Sequence, residues 1–408
     1  MKKLSDSIFF VLIFLLTFLH PARALGHNAA ISFNDAPGRL ELATCYTSVQ
    51  LILDAADWPG VLRVADDLAV DFGRVTCANG SVSVTNGAHI SPLNASMIFN
   101  ITRKPNLDVP GAKAKPKGGI TIAGTLGKSA IINGLVKQGR IDVGGIKGQW
   151  EAFKSQIVRS PMHTVDQALV IAGSDKRGTI YGLYDISEQI GVSPWYYWAD
   201  VPPKSHDIAC AFRTAKAQAS TFVKYRGIFL NDEAPALTGF INAKYPAGKY
   251  GPGFNANFSS TVFEFLRSRA NYLWPAQWNS MFNVDDARSQ PLADEYDIVM
   301  GTNHIEPMMR ATKEWNTFGH GPWQWNLNNA SICSLFVEGA QRAKPYEGVM
   351  TMRMRGSGDT AMSAGIGTDM LENIVQMQRQ ILIDVYGNAT VPQMWCLYEE
   401  VQSYYEAA

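Results

Sequence analysis

The sequence predicts an α/β protein, in which a mixed α/β N-terminal domain precedes an incomplete (β/α)8 TIM-type barrel with about five of its eight units. Two observations predict this class. Short apolar runs alternate with helical stretches along the chain, and in the C-terminal half each apolar run ends in polar side chains. The chain also exceeds the usual size of a single core, so we expect two domains.

Residues 1–24 predict a cleaved secretory signal peptide. Lys2 and Lys3 precede an apolar run at 8–19, and small residues flank Arg23. The run is too short to cross a bilayer, so we expect a soluble, secreted protein that is not inserted in a membrane. Six Asn-x-Ser/Thr sequons agree with export and predict a glycoprotein. They begin at Asn79, Asn94, Asn100, Asn257, Asn329 and Asn388.

Charge and cysteine usage exclude two classes of protein. Removal of residues 1–24 takes away three basic residues and one acidic residue, so the formal net charge changes from 0 to −2. We therefore expect no nucleic-acid partner. The five cysteines are widely spaced without a CxxC or Cys/His cluster, so we expect no structural metal and no cofactor. Cys45 and Cys77 are a candidate disulfide.

Residues 25–205 predict the N-terminal α/β domain. Its predicted strands lie at 39–43, 120–123 and 168–172. Residues 175–191 predict an amphipathic helix, because apolar side chains recur there at helical spacing. The run Gly-Thr-Leu-Gly-Lys-Ser at 124–129 lacks the spacing of a phosphate loop, so we do not expect it to bind phosphate.

The polar segment 206–220 predicts a linker, and residues 221–408 predict the partial barrel. Strand-like runs lie at 225–230, 271–274, 297–300, 348–354 and 394–397, with helices at 262–269 and 370–386. A closed barrel needs eight strands and about 250 residues, so this segment supplies only part of one. An open parallel sheet leaves an unpaired edge, which a stable monomer normally covers.

The ends of these runs carry side chains suited to sugar chemistry. Parallel strands bring their carboxyl ends to one mouth, where carboxylates can form an acid/base pair and tryptophan an apolar platform. An arginine can bind the carboxylate of an acidic sugar with two parallel hydrogen bonds. The candidates are Asn231, Asp232, Glu233, Trp274, Trp278, His304, Glu306, Arg310, Arg355, Asp359, Glu399 and Glu400.

Structural explanations stay open for each candidate. Asp232 and Glu233 could cap the helix that follows them. Glu399 and Glu400 could be solvated charges at the start of a helix. The tryptophans could belong to the core, and the histidine could have a purely structural role. Arg355 could form an ion pair with Asp359 without any ligand.

Four blocks of the sequence resemble glycoside hydrolase family 115, the xylan α-1,2-glucuronidases. They lie at 173–195, 226–239, 271–276 and 301–310. The resemblance implies an α/β domain joined to a (β/α)8 barrel, with this chain covering about the first half of the family architecture. It also implies inverting removal of glucuronic or 4-O-methylglucuronic acid from xylan, so glucuronoxylan oligosaccharides are the expected partner.

Matching motifs imply roles for individual residues. Asp232 and Glu400 look like the active-site carboxylates, with Glu400 as the acid and Asp232 as the base. An inverting enzyme keeps such a pair about 6.5–9.5 Å apart so that water fits between them. The residues expected to bind substrate or to line its pocket are Asn231, Glu233, Trp278, His304, Arg355 and Asp359.

The sequence also departs from the family pattern. Ile305 stands where the family usually has a second histidine, Ser357 and Thr360 interrupt an acidic pattern, and Glu399 replaces a lysine. The alternatives to the glucuronidase are therefore a truncated, non-catalytic product with a partial sugar-binding face, and a barrel enzyme acting on hexosamines. Arg355 favours an acidic sugar over a hexosamine.

Overall fold

The computed structural model describes residues 29–86, 101–103, 117–163, 165–245, 256–357, 360, 362 and 368–397. The predicted signal peptide, Asp359, Glu399 and Glu400 lie outside these residues. The strands are β1 Ile31–Ser32, β2 Leu40–Thr44, β3 Ser48–Asp54, β4 Ser81–Thr85, β5 Ile101–Arg103, β6 Lys117–Thr125, β7 Phe153–Met162, β8 Val165–Gly173, β9 Ile208–Ala211, β10 Lys216–Gln218, β11 Gly227–Asn231, β12 Tyr272–Ala276, β13 Val299–Met300, β14 Met350–Thr351 and β15 Gln393–Met394.

Helices connect most of these strands. They are α1 Pro59–Thr76, α2 Ala130–Lys137, α3 Lys176–Gln189, α4 Tyr196–Ala199, α5 Ala236–Lys244, α6 Ala256–Phe263, α7 Phe282–Asp285, α8 Ser289–Tyr296, α9 Thr312–Phe318, α10 Trp325–Ala343 and α11 Thr368–Tyr386. The mixed α/β class predicted from the sequence is confirmed.

A seven-stranded sheet, in the order β10-β7-β8-β6-β3-β4-β5, organises the N-terminal part. Its centre is parallel, since β3 pairs in parallel with β4 and β6, and β6 with β8. Alternate side chains of β3 enter two separate cores: Leu51 and Leu53 join the one that holds α1 and α3, and Ile52 joins the one that holds α2. Parallel strands covered on both faces are typical of a doubly wound sheet.

Two strands lie inside the stretch predicted as a linker, 206–220. β9 pairs with β1 and β2, and β10 extends the seven-stranded sheet beside β7. These residues therefore supply the central strand of a three-stranded sheet and an edge strand of the seven-stranded sheet, instead of running free between domains. β9 has four residues and β10 has three, and strands this short depend on tertiary pairing that the local sequence does not report. The domain boundaries at 205 and 220 stay predictions.

The C-terminal part places its five strands in consecutive order, as far as the chain is described. β11, β12 and β13 form one parallel sheet, and β14 and β15 form another. A single parallel bridge between Met300 and Gly348 joins β13 to the start of β14. The described strands do not close, so the structure leaves the predicted TIM-type barrel unconfirmed. β11 is an edge strand, and Phe229 on it is exposed.

Helix α3, from the sequence block 173–195, lies between the N-terminal sheet and the C-terminal part. Gly182 allows close packing, since a Cβ there would lie 2.6 Å from Ile171 Cγ2. On the other side, the Tyr181 hydroxyl donates to the carbonyl of Ala270, next to β12. Much of the block that carries the family resemblance thus serves the contact between the two parts of the chain.

Cys45 and Cys77 lie together, with the Cys45 thiol donating to Cys77 Sγ at 3.9 Å and no disulfide bond formed between them. The candidate disulfide stays a prediction. None of the described helices combines the length and apolar character that a membrane crossing requires.

A buried carboxylate, Glu151, joins the N-terminal part to the starts of β11 and β12. Its side chain is 3% exposed, and it accepts hydrogen bonds from Arg226 Nη2 at 2.6 Å and Asn271 Nδ2 at 2.7 Å. The Asn271 Oδ1 atom in turn accepts from the backbone N–H of Arg226 at 2.8 Å. These bonds fix the amino ends of two neighbouring strands to one anchor.

We expect Glu151→Ala to destabilise the protein by about 3 kcal/mol, because it removes the carboxylate acceptor of the buried Asn271 and of the half-buried Arg226. Urea unfolding followed by circular dichroism measures the change. Asp142→Ala is the matched control, since its pair with Lys154 is 3.3 Å long and Asp142 is 82% exposed. That control should leave the midpoint unchanged. Equal midpoints for both variants would contradict the anchoring role of Glu151.

Candidate active site

The carboxyl ends of β11, β12 and β13 meet at one edge of their sheet. The parallel register pairs Gly227 with Tyr272 and Asn231 with Ala276, so the two strands end side by side. Asp232 follows the first strand, residues 277–280 follow the second, and residues 301–306 follow the third. The sequence-predicted candidates from these three strand ends are therefore neighbours, as expected for parallel strands.

Asp232 binds the loop that follows β12. Its Oδ1 atom accepts from the N–H of Trp278 at 2.8 Å, and its Oδ2 atom accepts from the N–H of Asn279 at 2.9 Å and the hydroxyl of Ser280 at 2.6 Å. The side chain is 2% exposed, and burial raises the pKa of Asp232 while these three donors oppose the rise. Its predicted role as the base stays a prediction.

The alternative that Asp232 or Glu233 caps the next helix is wrong. Helix α5 begins at Ala236 after Pro235, and no side chain caps its N-terminus. Asp232 is turned instead toward the neighbouring strand end. Asn231 and Glu233 are both exposed at this edge.

Glu306 is a buried carboxylate that sequence reasoning did not place in the catalytic set. It is fully buried, and it accepts from the N–H of Gln277 at 2.5 Å and from the N–H of Asn303 at 3.0 Å. It thereby ties the end of β12 to the end of β13. Burial raises the pKa of Glu306 to about 8, the two N–H donors oppose the rise, and the charge of Asp232 adds to it.

His304 lies in the turn that Glu306 holds. Its backbone N–H donates to Asn303 Oδ1 at 2.6 Å, its ring Nδ1 contacts the same oxygen, and the side chain is half-buried. The Arg353 Nη2 group donates to the His304 carbonyl at 3.4 Å. This contact brings the segment after β14 to the same edge as β13.

Arg355 is buried, with 2% of its side chain exposed. Its carbonyl accepts from Trp323 Nε1 at 2.9 Å. Two of the departures from the family pattern lie beside it, because Ile305 and Ser357 line one small cavity. The third, Thr360, bonds the same turn through its hydroxyl to the Ser357 carbonyl at 2.7 Å. Three of the four departures are thus concentrated in one region, and the fourth, Glu399, lies outside the described residues.

The two tryptophans have different surroundings. Trp274 lies within β12 and stacks on Tyr272 with ring centroids 4.7 Å apart, which is a packing role. Trp278 lies in the loop that Asp232 holds, and its side chain is half-buried. The structure therefore separates a strand tryptophan from one at the strand-end site.

The structure brings together Asp232, Trp278 and His304, with Arg355 in the segment that reaches His304. Glu400 and Asp359 lie outside the described residues. Sequence reasoning missed Gln277, Ser280 and Asn303, which carry the hydrogen bonds between strand ends; their signal was a polar residue soon after an apolar run. Among the described residues, no three or more His, Cys, Asp or Glu side chains are grouped to hold a metal ion.

Strand-end carboxylates, an arginine and a tryptophan at one edge of the sheet are side chains suited to binding and cleaving a sugar. Residues 218–408 match the sequence model described as glycosyl hydrolase family 115. The match covers slightly less than half of the chain, and for these residues it confirms the resemblance stated above.

A solved structure of a family GH115 4-O-methyl-α-glucuronidase, BtGH115A, with specificity for decorated arabinogalactans, is similar to this chain. The TM-score is 0.72 and the identity 27%, over 90% of this chain and 44% of that one. This chain therefore spans less than half the length of that enzyme. No curated protein matches the sequence.

Two further solved structures are similar at a level too low to support an argument. A family 20 β-N-acetylglucosaminidase has a TM-score of 0.33 and 11% identity, over 64% of this chain and 59% of that one. A GH138 enzyme targeting pectin rhamnogalacturonan II has a TM-score of 0.38 and 11% identity, over 83% of this chain and 43% of that one.

The pKa of Glu306 in the folded protein is about 8, so Glu306 stays protonated below that pH. The free energy of unfolding should therefore fall as the pH rises toward 8. Above pH about 4.5 an unfolded glutamate is ionised, so in this window the native state binds one more proton than the unfolded state. The free energy of unfolding then falls by about 1.4 kcal/mol per pH unit from this group. We expect Glu306→Gln to flatten the dependence between pH 5 and pH 8.

Urea unfolding at several pH values measures this slope. Glu233→Gln is the control, because it makes the same change at an exposed position of the same edge. A slope for Glu306→Gln that matches the wild type would show that Glu306 is ionised in the folded protein, contrary to this prediction.

Proposed function

We propose that the protein is a secreted glycoside hydrolase that removes α-1,2-linked glucuronic or 4-O-methylglucuronic acid from xylan with inversion. The observation that carries the proposal is the hydrogen-bonded set of strand ends. Asp232 holds the loop with Trp278, and Glu306 ties that loop to the turn with His304. The similarity of the chain to a 4-O-methyl-α-glucuronidase supports the same class of substrate.

In this proposal Asp232 is the base and Glu400 is the acid. An inverting base must be ionised when it activates water, and the N–H groups of Trp278 and Asn279 and the hydroxyl of Ser280 favour the ionised form. Glu400 follows β15 in the sequence, and β15 runs parallel to β14. Glu400 would donate a proton to the leaving oxygen of the xylan chain.

Arg355, Asp359 and Trp278 would bind the uronic acid in this proposal. A buried guanidinium binds a carboxylate more strongly than an exposed one, because little water competes. Trp278 would offer its ring to the apolar face of the sugar. Asn231, Glu233 and His304 would complete the pocket wall at the same edge.

We further propose that β11 to β15 are the first five strands of a (β/α)8 barrel. Their consecutive parallel order supports this, since a barrel adds each strand beside the previous one. Secretion and glycosylation belong to the same proposal. Of the sequon asparagines, Asn329 and Asn388 are exposed and Asn79 is half-buried, whereas Asn94 and Asn100 lie outside the described residues.

A decorated arabinogalactan is the second candidate substrate, because the similar solved enzyme is specific for that class. A non-catalytic, sugar-binding product is the alternative in which the open edge of β11 leaves the site incomplete. Catalytic groups need rigid support, which an open sheet provides poorly.

We expect the protein to release free glucuronate from aldouronic oligosaccharides, because the candidate site combines acid, base and anion-binding groups. Asp232→Asn and Glu400→Gln should each lower kcat by at least about a hundredfold, as removal of an acid or base does. Chromatography of the released sugar measures this, with decorated arabinogalactan as the parallel substrate. Activity that survives both substitutions would remove the proposed pair, and no release from either substrate would favour the non-catalytic alternative.

Ser280→Ala tests whether Asp232 titrates as the base. The Ser280 hydroxyl donates to Asp232 at 2.6 Å and lowers its pKa, so its loss should raise that pKa. A base must be ionised, and the acidic limb of the pH profile of kcat/KM should therefore move to higher pH. Measurements of kcat/KM at intervals of about half a pH unit, from about pH 3 to about pH 8, record this acidic limb. An unmoved limb with lower activity would indicate that Asp232 only positions the loop.

A further inference from the structure

A second cavity, of about 840 Å³, lies far from the strand-end site. One wall comes from the N-terminal sheet, where Leu126 follows β6, Ser174 follows β8 and Trp58 precedes α1. The other wall is α8 with the residues around it, including Asp294 and Asp297. In doubly wound sheets, ligands bind in the crevice outside the carboxyl ends of the strands. This cavity occupies that position, and none of the proposed catalytic residues lines it.

Trp58 presents an aromatic surface at this cavity. Its side chain is 39% exposed, and Pro59 starts helix α1 directly after it. The Trp58 backbone N–H donates to Asp57 Oδ1 at 2.8 Å, which fixes the residue. Two ammonium groups already lie over the indole ring in cation–π contact, Lys128 Nζ at 4.3 Å and Lys176 Nζ at 6.0 Å from its centroid. A sugar would therefore pack on the part of the ring that these lysines leave exposed.

The opposite wall is held at a fixed distance. Gly60 permits this, because a Cβ there would lie 2.0 Å from the carbonyl oxygen of Glu295. Lys176 reaches across, donating to the Asp294 carbonyl at 2.5 Å and pairing with Asp297 at 3.5 Å. Trp58 therefore faces a wall of carboxylate-bearing residues across a preformed space.

The charges around the cavity disfavour an anionic ligand. Five carboxylate residues line it against two lysines, Lys128 and Lys176. Arg177 pairs with two of these carboxylates, Asp297 at 3.4 Å and Glu347 at 2.9 Å, and the remaining balance is still negative. The N–H groups that would cradle a phosphate are already bonded, since Asp57 accepts from the Thr125 N–H at 2.8 Å and Asp54 from the Ala130 N–H at 2.6 Å. These two aspartates occupy donors at and beside the 124–129 run, and the expectation that it does not bind phosphate stays a prediction.

We propose that this cavity binds a neutral stretch of polysaccharide main chain. Carboxylates accept hydrogen bonds from sugar hydroxyls, and an exposed indole packs on the apolar face of a sugar ring. The choice of a xylose polymer rests on the proposed function. The inference that a sugar chain binds in this cavity rests on the residues that line it. It would hold the polymer while its acidic branches are cleaved elsewhere.

The cavity lies toward the opposite end of the C-terminal sheet from Asp232. Glu347, on its wall, accepts from the Tyr225 hydroxyl at 2.9 Å, and Tyr225 precedes β11. Asp232 follows the same five-residue strand, which spans about 17 Å. Binding at the two places can therefore be separated by mutation.

Calorimetric titration of the full chain with linear, unsubstituted xylohexaose tests this proposal. Trp58→Ala should weaken binding at least about tenfold, and Trp58→Phe, which keeps a ring, should retain most of it. Trp150→Ala is the matched control, because Trp150 is 37% exposed and does not line the cavity. Asp232→Asn should bind xylohexaose like the wild type, which distinguishes this site from the catalytic one.

Three results would overturn the proposal. They are equal affinity of Trp58→Ala and the wild type, no binding of xylohexaose by the wild type, and displacement of xylohexaose by free glucuronic acid in the Asp232→Asn variant. A thermal melt of each variant confirms that it is folded, and Trp58→Phe keeps the comparison decisive if Trp58→Ala unfolds.

Discussion

The anchoring of two strands to Glu151 is the constraint on which the geometry of the candidate site depends. Arg226 and Asn271 directly precede β11 and β12, and both bond the same buried carboxylate. Because the strands are equally long and parallel, fixing their amino ends also fixes which residues face each other at their carboxyl ends. Asp232 therefore comes to lie opposite residues 278–280. The N-terminal part thus determines, through one carboxylate, the register of a site at the other end of the sheet.

Buried carboxylates also hold the C-terminal ends of the strands, and the free-energy cost of burying the charge differs between them. Asp232 receives three donors, which offset much of the penalty for burying its charge. Glu306 receives two backbone donors in full burial, and its pKa of about 8 shows that they offset the penalty only in part. The two groups lie close enough for the charge of Asp232 to disfavour ionisation of Glu306. Ionisation of one of these two neighbouring buried carboxylates therefore disfavours ionisation of the other.

Local patterns predicted where the C-terminal strands lie, and long-range contacts decided the rest. The runs expected at 225–230 and 271–274 are β11 and β12 within two residues, because apolar residues bounded by polar ones show a strand directly. The run expected at 348–354 shortens to β14, since Arg353 has φ 106° and leaves the extended region. Glu151 and Asn271 are 120 residues apart, and no periodicity reports such a pair. The role of Glu306 was equally hidden, because burial sets its pKa.

Under the proposed function, the two ends of the C-terminal sheet would serve different needs of a polymer-degrading protein. Its carboxyl ends carry carboxylates and an arginine, a set suited to an anionic branch that must be held and cleaved. The cavity near its amino ends carries an exposed indole and an excess of carboxylates, which suits neutral hydroxyl groups and repels the branch. A chain bound at the cavity would remain near the enzyme after one branch is released, which raises the effective concentration of the next branch. This rise in effective concentration requires no strong binding at either site, since it comes from holding two segments of one polymer at once.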